Sequence, residues 1–207
     1  MLSLYLKRSE KVAEWEDIRM GGWKKVRILA HLPTCLLACL LTGASASGKV
    51  FITLDEALKL AFPTCTIKRH TIYLSKDQME QARKLAGVEI PSALVYPYVA
   101  MKDGEMMGIA YFDAHIVRTL PETIMITVDL EDRIQRIEVL DFNEPSDYVP
   151  RTAWYQQFTG QRLDNDLAVK RNIHSIAGAT LTARHTTDAV RRMMALHHVI
   201  KRQLIHE

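Results

Sequence analysis

The sequence has very little cysteine, which excludes several kinds of site. Three cysteines occur in 207 residues, and Cys35 and Cys39 lie in an apolar N-terminal stretch. Beyond residue 46 only Cys65 remains, so that part of the chain cannot form an internal disulfide. No Cys-x-x-Cys pair offers a zinc or dithiol site, and no Cys-x-x-Cys-His run offers a haem attachment site. Spaced methionines for copper and the motifs of known hydrolases are also absent.

The sequence also lacks internal repeats, low-complexity tracts and a Gly/Ser linker. Its apolar fraction of 48% and charged fraction of 25% are those of an ordinary folded protein. The length of residues 47–207 suits one domain. We therefore expect a single domain over residues 47–207.

The N-terminal stretch resembles an export signal. A basic segment, Trp23–Arg27, precedes an apolar run, Ile28–Leu41, and the small residues Ala44-Ser45-Ala46 follow. The run of about 14 residues is short for a membrane span, and this order is typical of a cleaved signal peptide. Residues 1–46 are therefore predicted to be a signal peptide, with Met20 as an alternative start. The prediction is a periplasmic or otherwise extracytoplasmic protein; a retained membrane anchor is the alternative.

A strong net charge is missing from the rest of the chain. Seven of the 27 basic and four of the 24 acidic residues lie within residues 1–46, which leaves 20 of each in residues 47–207. The net charge of +3 therefore belongs to the export signal. Because a basic surface is the usual mark of nucleic-acid binding, nucleic acid is not expected as a partner.

Helices and hairpins alternate without regular βαβ units. Two capping boxes, Thr53–Glu56 and Ser75–Gln78, predict short helices, the second ending at Gly87. Apolar residues at helical spacing predict a long last helix from Thr186 onward. The pattern indicates an α+β fold, with packed helices on an antiparallel sheet of hairpins. The predicted strands are Thr66–Leu74, Leu94–Met101, Glu105–Phe112, Thr123–Asp129 and Arg133–Leu140.

Small residues and hydroxyls directly precede the predicted last helix. The segment reads Ser175-Ile176-Ala177-Gly178-Ala179-Thr180-Leu181-Thr182. Unpaired backbone N–H groups and the helix dipole make a helix N-terminus a favourable seat for a phosphate. Small side chains would allow close approach, and Thr180 and Thr182 would add donors. A tightly packed loop without a ligand remains the alternative.

The same segment resembles the attachment motif of the FMN-binding domain family, which includes the covalent-FMN subunits of the Rnf and sodium-translocating NADH:quinone reductase complexes. The family motif is Asp, two variable residues, Ser or Thr, then Gly-Ala-Thr. A flavin transferase esterifies the FMN phosphate to the last Thr, which is Thr180 here. Glu144 and the run Trp154-x-x-x-Phe158-x-Gly160 also resemble the family, and the resemblance covers roughly residues 95–200.

The resemblance implies FMN as cofactor and electron transfer to redox partner proteins or a membrane-bound complex. It implies that Glu144 lies near the flavin. The residues themselves indicate no catalytic set and no metal site. Two positions depart from the motif: His174 replaces its Asp, and Ala177 replaces its Ser or Thr. His174 could contact phosphate instead. The residues expected to bind FMN are His174, Ser175, Ala177, Gly178, Ala179, Thr180, Leu181, Thr182 and Glu144.

Three hypotheses follow. The first is an electron carrier with FMN on Thr180. The second is a domain of the same fold that binds FMN noncovalently, as the departures at His174 and Ala177 would allow. The third is an exported interaction domain without flavin.

Overall fold

The computed structural model describes residues 49–205, so the predicted signal peptide, residues 1–46, lies outside the described residues. Two short 3₁₀ helices, Ser146–Tyr148 and Gln156–Phe158, lie between the last strand and the last helix. The strands and longer helices are, in chain order, β1 (Lys49–Val50), α1 (Leu54–Ala61), β2 (Thr66–Arg69), β3 (Ile72–Tyr73), α2 (Lys76–Ala86), β4 (Leu94–Val95), β5 (Tyr98–Lys102), β6 (Glu105–Ile116), β7 (Pro121–Val128), β8 (Ile134–Phe142), α3 (Thr152–Tyr155) and α4 (Thr180–Ile205).

The main sheet has six strands in the order β1-β8-β7-β6-β5-β2, and each pair of neighbours is antiparallel. Strands β3 and β4 form a separate antiparallel pair. The hairpins β5–β6 and β7–β8 supply the centre of the sheet. The predicted α+β fold with an antiparallel sheet of hairpins and a long C-terminal helix is confirmed.

Helices cover both faces of the sheet, and the period-2 alternation of strand side chains separates two cores. Tyr111, Ile124 and Ile126 lie in the larger core, which includes residues of α2, α3 and α4. Ala110 and Met125 belong to the smaller core, where α1 contributes Ala57 and Leu58. A fully buried isoleucine or methionine stabilises the fold by roughly 1.5–3 kcal/mol, so the larger core fixes α4 on the sheet.

Both predicted capping boxes form. The Thr53 hydroxyl accepts a hydrogen bond from the Glu56 N–H, and the Glu56 carboxylate accepts one from the Thr53 N–H. Ser75 and Gln78 make the same exchange at the start of α2. Gly87 caps the end of α2 in the left-handed conformation, at φ 66°. These local signals place α1 and α2 where the sequence predicted them.

Two predicted strands are wrong in extent. Thr66–Leu74 divides into β2 and β3, and Leu94–Met101 divides into β4 and β5. The two breaks face each other, because the His70 N–H donates to the Pro97 carbonyl over 2.9 Å. Proline has no N–H for a ladder, so the pairing stops at Pro97 and resumes as the separate β3–β4 sheet.

The last helix begins six residues earlier than predicted, at Thr180 rather than Thr186. Its first residues, Thr180 and Leu181, are exposed. Among residues 180–185 Leu181 is the only large apolar residue, and it is exposed, so this stretch does not extend the apolar helical period that was used to find the helix. No helix among residues 49–205 is long and apolar enough to cross a membrane.

A series of hydrogen bonds connects the C-terminal half of α4 to the β7–β8 turn. The ring of His197 lies between Tyr111 and Asp132, with its Nδ1 2.9 Å from Tyr111 Oη and its Nε2 3.0 Å from Asp132 Oδ1. Lys201 also pairs with Asp132. Burial lowers the pKa of His197 even though Asp132 opposes that shift. In the neutral ring, Nε2–H donates to Asp132 and Nδ1 accepts from the Tyr111 hydroxyl.

Candidate functional site

The loop before α4 reverses direction at Gly178. Its φ is 82°, in the left-handed region that glycine adopts without steric cost. The Ala179 N–H then donates to the Ile176 carbonyl over 3.2 Å, and the Ala183 N–H donates to the Ala179 carbonyl over 3.1 Å as the first helical bond. The turn therefore ends with Thr180 as the first helical residue.

A surface pocket of about 280 Å³ lies at this helix start. Its lining combines the first turn of α4 with two residues from distant parts of the chain. Because the first N–H groups of a helix have no partner inside the helix, they are available to an anion. The lining residues are Arg118, Tyr148, Gly178, Ala179, Thr180, Leu181 and Thr182.

The two threonines of the pocket have different environments. Thr180 is exposed, and its hydroxyl donates to the Ile176 carbonyl over 3.3 Å. Thr182 is 1% exposed, and its hydroxyl donates to the Tyr148 carbonyl over 3.0 Å. Thr180 is therefore the hydroxyl that a reagent in solution can reach, whereas Thr182 joins α4 to the Ser146–Tyr148 turn.

Three of the predicted site residues lie in the loop outside the pocket lining. The backbone of His174 is held by two hydrogen bonds: its carbonyl accepts from Trp154 Nε1 at 2.7 Å, and its N–H donates to Gln157 Oε1 at 2.8 Å. The side chains of His174, Ser175 and Ala177 are exposed. The loop is thus anchored through the backbone of His174 and not through its ring.

Glu144 is bound to the turn between β6 and β7. Its Oε1 accepts the backbone N–H groups of Arg118, Thr119 and Leu120 at 3.1, 2.6 and 2.8 Å, and also the Thr119 hydroxyl. Its exposed fraction is 8%. Burial favours a higher pKa for Glu144, but the hydrogen bonds from Thr119, Leu120 and Arg118 outweigh it, and the pKa lies below its usual value. Glu144 therefore fixes a turn that borders the pocket.

Arg118 and Tyr148 were missed by the sequence analysis. The Arg118 guanidinium carbon lies 4.6 Å from the centroid of the Tyr148 ring. The two residues are 30 positions apart and belong to no local motif, so only the fold brings them together. Arg184, which follows Thr180 by one turn, is outside the pocket lining and pairs with Asp188 over 4.0 Å.

A buried polar network connects α4 to β6 and β7. The His115 ring lies between Asp113 and Glu122, with both ring nitrogens 3.0 Å from a carboxylate oxygen. Arg192 makes two hydrogen bonds to Asp113, at 3.0 and 3.1 Å. Thr186 and Tyr155 donate to Glu122 at 2.7 and 3.0 Å.

Charge balance explains how this network is tolerated. Glu122 is 0% exposed, and a buried carboxylate needs a partner. Burial alone would lower the pKa of His115, but its hydrogen bonds to Asp113 and Glu122 raise that pKa to about 9. At neutral pH two carboxylates therefore face two cations, His115 and Arg192. Within residues 49–205 no group of His, Cys, Asp and Glu side chains is placed to hold a metal ion.

The comparisons with known proteins agree with the geometry. Residues 120–195 match the family model of the FMN-binding domain. The match spans β7, β8, the loop and the first part of α4, including every pocket residue except Arg118. No curated protein matches the chain.

The chain thus contains an FMN-binding domain and is a flavoprotein, with FMN as its cofactor. The donors at the pocket suit the phosphate end of FMN: a reachable hydroxyl, helix N–H groups and a guanidinium. The volume lies slightly below the roughly 300–1,000 Å³ of pockets that enclose small ligands.

Proposed function

We propose that this protein is an extracytoplasmic electron-transfer flavoprotein whose FMN is esterified through its phosphate to Thr180. The observation that supports this most directly is the exposed Thr180 hydroxyl, which borders a pocket at a helix N-terminus inside the matched segment. Neighbouring Thr182 is buried and bonded elsewhere, so the two threonines are not equivalent acceptors.

The attachment step changes bonds but no oxidation state. The Thr180 oxygen would form a P–O bond to the FMN phosphoryl group as a phosphoanhydride bond of a dinucleotide donor breaks. The hydroxyl proton leaves, and the other half of the donor departs as a mononucleotide. A flavin transferase would supply the catalysis. The helix N–H groups next to Thr180 would stabilise the phosphoryl oxygens.

Bound FMN supplies reversible transfer of one or two electrons. The protein's own part is to hold the phosphate at Thr180. A pocket of about 280 Å³ is small and superficial, which suits a site that leaves part of the cofactor accessible to another protein. The partners would be redox proteins, among them a membrane-bound electron-transfer complex. Export through residues 1–46 would place this exchange outside the cytoplasm.

A noncovalent FMN site is the second candidate, and two departures from the family motif favour it. His174 and Ala177 replace the family's Asp and Ser or Thr, and both side chains are exposed beside the acceptor turn. A transferase that recognises the motif through those two side chains would bind this loop less well, and FMN would then not be attached. Phosphate binding by the helix start does not depend on either of them.

Intact-protein mass spectrometry tests the covalent proposal. The full chain is co-expressed with a flavin transferase and denatured before measurement. We expect a mass gain equal to FMN less one water, which peptide mapping places on Thr180 and which Thr180→Val abolishes. Thr159→Val, which removes an exposed threonine hydroxyl outside the pocket lining, serves as the control and should retain the gain.

The other outcomes separate the alternatives. Unmodified wild-type protein that releases FMN on denaturation would support noncovalent binding. A mass gain that persists in Thr180→Val would move the attachment to another residue. Protein from native material with no flavin at all would favour an interaction domain.

A further inference from the structure

Arg118 borders the pocket from the turn between β6 and β7. Val117 and Leu120 close this turn through a backbone hydrogen bond of 3.1 Å. Arg118 is exposed, and within residues 49–205 its guanidinium forms no ion pair. The guanidinium lies over the ring of Tyr148. A guanidinium stacked by its face keeps the N–H donors along its edge available to a ligand.

Three connections hold Arg118 at the helix start. Glu144 accepts the N–H groups of Arg118 and its two successors, which fixes the turn. Tyr148 lies under the guanidinium. The Tyr148 carbonyl accepts the hydroxyl of Thr182, in the first turn of α4. The turn, the aromatic ring and the helix start are therefore joined into one frame around the pocket.

We propose that Arg118 is the cation that binds the FMN phosphate at Thr180, with Tyr148 as its stacking platform and Glu144 as its positioning residue. The inference rests on the proposed function insofar as FMN occupies this pocket. Arg118 precedes the segment that matches the family, residues 120–195. Charge-assisted and bidentate hydrogen bonds make arginine well suited to phosphate oxygens. The carboxylate of Glu144 is engaged by the turn and does not compete with the phosphate for Arg118.

The test compares FMN with riboflavin, which has the same ring but no phosphate. The full chain is produced without a flavin transferase, and each flavin is titrated by fluorescence. We expect Arg118→Met to weaken FMN binding roughly ten- to a hundredfold and to leave riboflavin binding unchanged. Arg184→Met is the matched control, because it removes an exposed arginine near the same helix start without touching the pocket.

A second readout follows covalent loading. With a flavin transferase present, Arg118→Met should slow the initial rate of FMN attachment, whereas Arg184→Met should not. Thermal melting checks that each variant is folded. Because Arg118 is exposed, its replacement is not expected to disturb the core.

The positioning role of Glu144 is tested by combining its substitution with that of Arg118. Glu144→Gln should lower the preference for FMN over riboflavin by a smaller factor than Arg118→Met. The double variant should be no worse than Arg118→Met alone, because a positioning residue has no effect once its target is gone. Additive losses would assign Glu144 a separate role.

The outcomes distinguish the inference from the function on which it rests. Wild-type protein that binds FMN, together with an Arg118→Met variant of unchanged FMN preference and loading rate, would overturn the role of Arg118 alone. Wild-type protein that neither binds nor incorporates FMN would overturn the proposed function and this inference with it.

Discussion

Two threonines in the first turn of α4 show how neighbouring positions acquire different environments. Thr180 and Thr182 have the same side chain and lie two residues apart, yet one hydroxyl is exposed and the other is buried against the Tyr148 carbonyl. Successive helical residues point about 100° apart, so a separation of two places them on different faces. The different exposure of the two hydroxyls thus follows from helix geometry, and the turn at Gly178 sets where the helix begins.

Gly178 permits a direct test of that geometry. Gly178→Ala adds a methyl group that meets open space, but φ of 82° disfavours an L side chain by roughly 1–2 kcal/mol. We expect a fall in Tm of a few degrees, together with a several-fold lower FMN content as the turn relaxes. Calorimetry and absorbance at flavin wavelengths measure the two effects.

Gly104→Ala is the matched control. Gly104 has φ of 85° and equally open surroundings, but it lies in the β5–β6 turn, outside the pocket lining. Its replacement should lower Tm by a similar amount and leave FMN content unchanged. Equal flavin loss in both variants would show that general destabilisation, and not the turn at Gly178, lowers the FMN content.

At the scale of single residues, the sequence indicated the loop before α4 but not the residues that surround it. Gly178–Thr182 form a contiguous string that a motif can reveal, and the structure places all five at one pocket. Arg118 and Tyr148 reach the same pocket from other elements, so no local spacing indicates them. Glu144 was expected near the flavin, and the structure places it under the turn that includes Arg118.

At the scale of elements, two polar clusters hold α4 on the sheet. Each contains a histidine, and the pKa values of the two histidines are shifted in opposite directions. His115, in the cluster nearer the pocket, has a raised pKa of about 9. His197, in the cluster nearer the C-terminus, has a pKa below its usual value because burial disfavours its charged form. Both histidines belong to the contacts between α4 and the sheet, so the attachment of α4 is expected to depend on pH.

The sign of each contribution follows from the proton balance. Between pH 6.5 and about 9 the native state retains a proton on His115 that the unfolded chain has lost, so stability falls as pH rises. Below pH 6.5 the unfolded chain binds a proton that buried His197 does not, so stability falls as pH falls. We expect the free energy of unfolding to be greatest near neutral pH.

The fall in the free energy of unfolding above pH 6.5 can be assigned to His115 by mutation. Its shift corresponds to a loss of at most about 3 kcal/mol between pH 6.5 and 9. Urea denaturation at several pH values measures the slope, which His115→Gln should largely remove. Exposed His198→Gln is the control and should retain it. An unchanged slope in His115→Gln would show that another group is responsible.

Sequence predicted the elements well where the signal was local. The structure contains the capping boxes at Thr53 and Ser75 and the hairpins of the sheet. Each of them depends on residues that are close in the sequence. The division of strands at Pro97 depends on pairing with a segment some 27 residues earlier, which no local pattern reports. The sequence did not indicate the start of α4 because residues 180–185 add no large apolar side chain to its buried face, although Thr182 and Ala183 are buried.

At the scale of the whole molecule, the distribution of charge along the chain bears on the proposed export. All the described residues belong to one compact unit, and residues 47–207 hold equal numbers of basic and acidic side chains. Their net charge is therefore near zero, and no general attraction to nucleic acid or anionic membrane is expected. The basic residues within 1–46 would instead serve the proposed export.

Export is tested by the mass of the exported chain. When the full chain is expressed in a bacterial host, we expect the periplasmic fraction to contain a protein that begins at Ser47. Ala44→Glu should block cleavage, because signal peptidase requires a small residue there. Ser45→Glu is the control and should still be cleaved, since the intervening position is tolerant. An uncleaved chain in the membrane fraction would favour an anchor, and an unprocessed cytoplasmic chain would contradict an extracytoplasmic function whatever the flavin content.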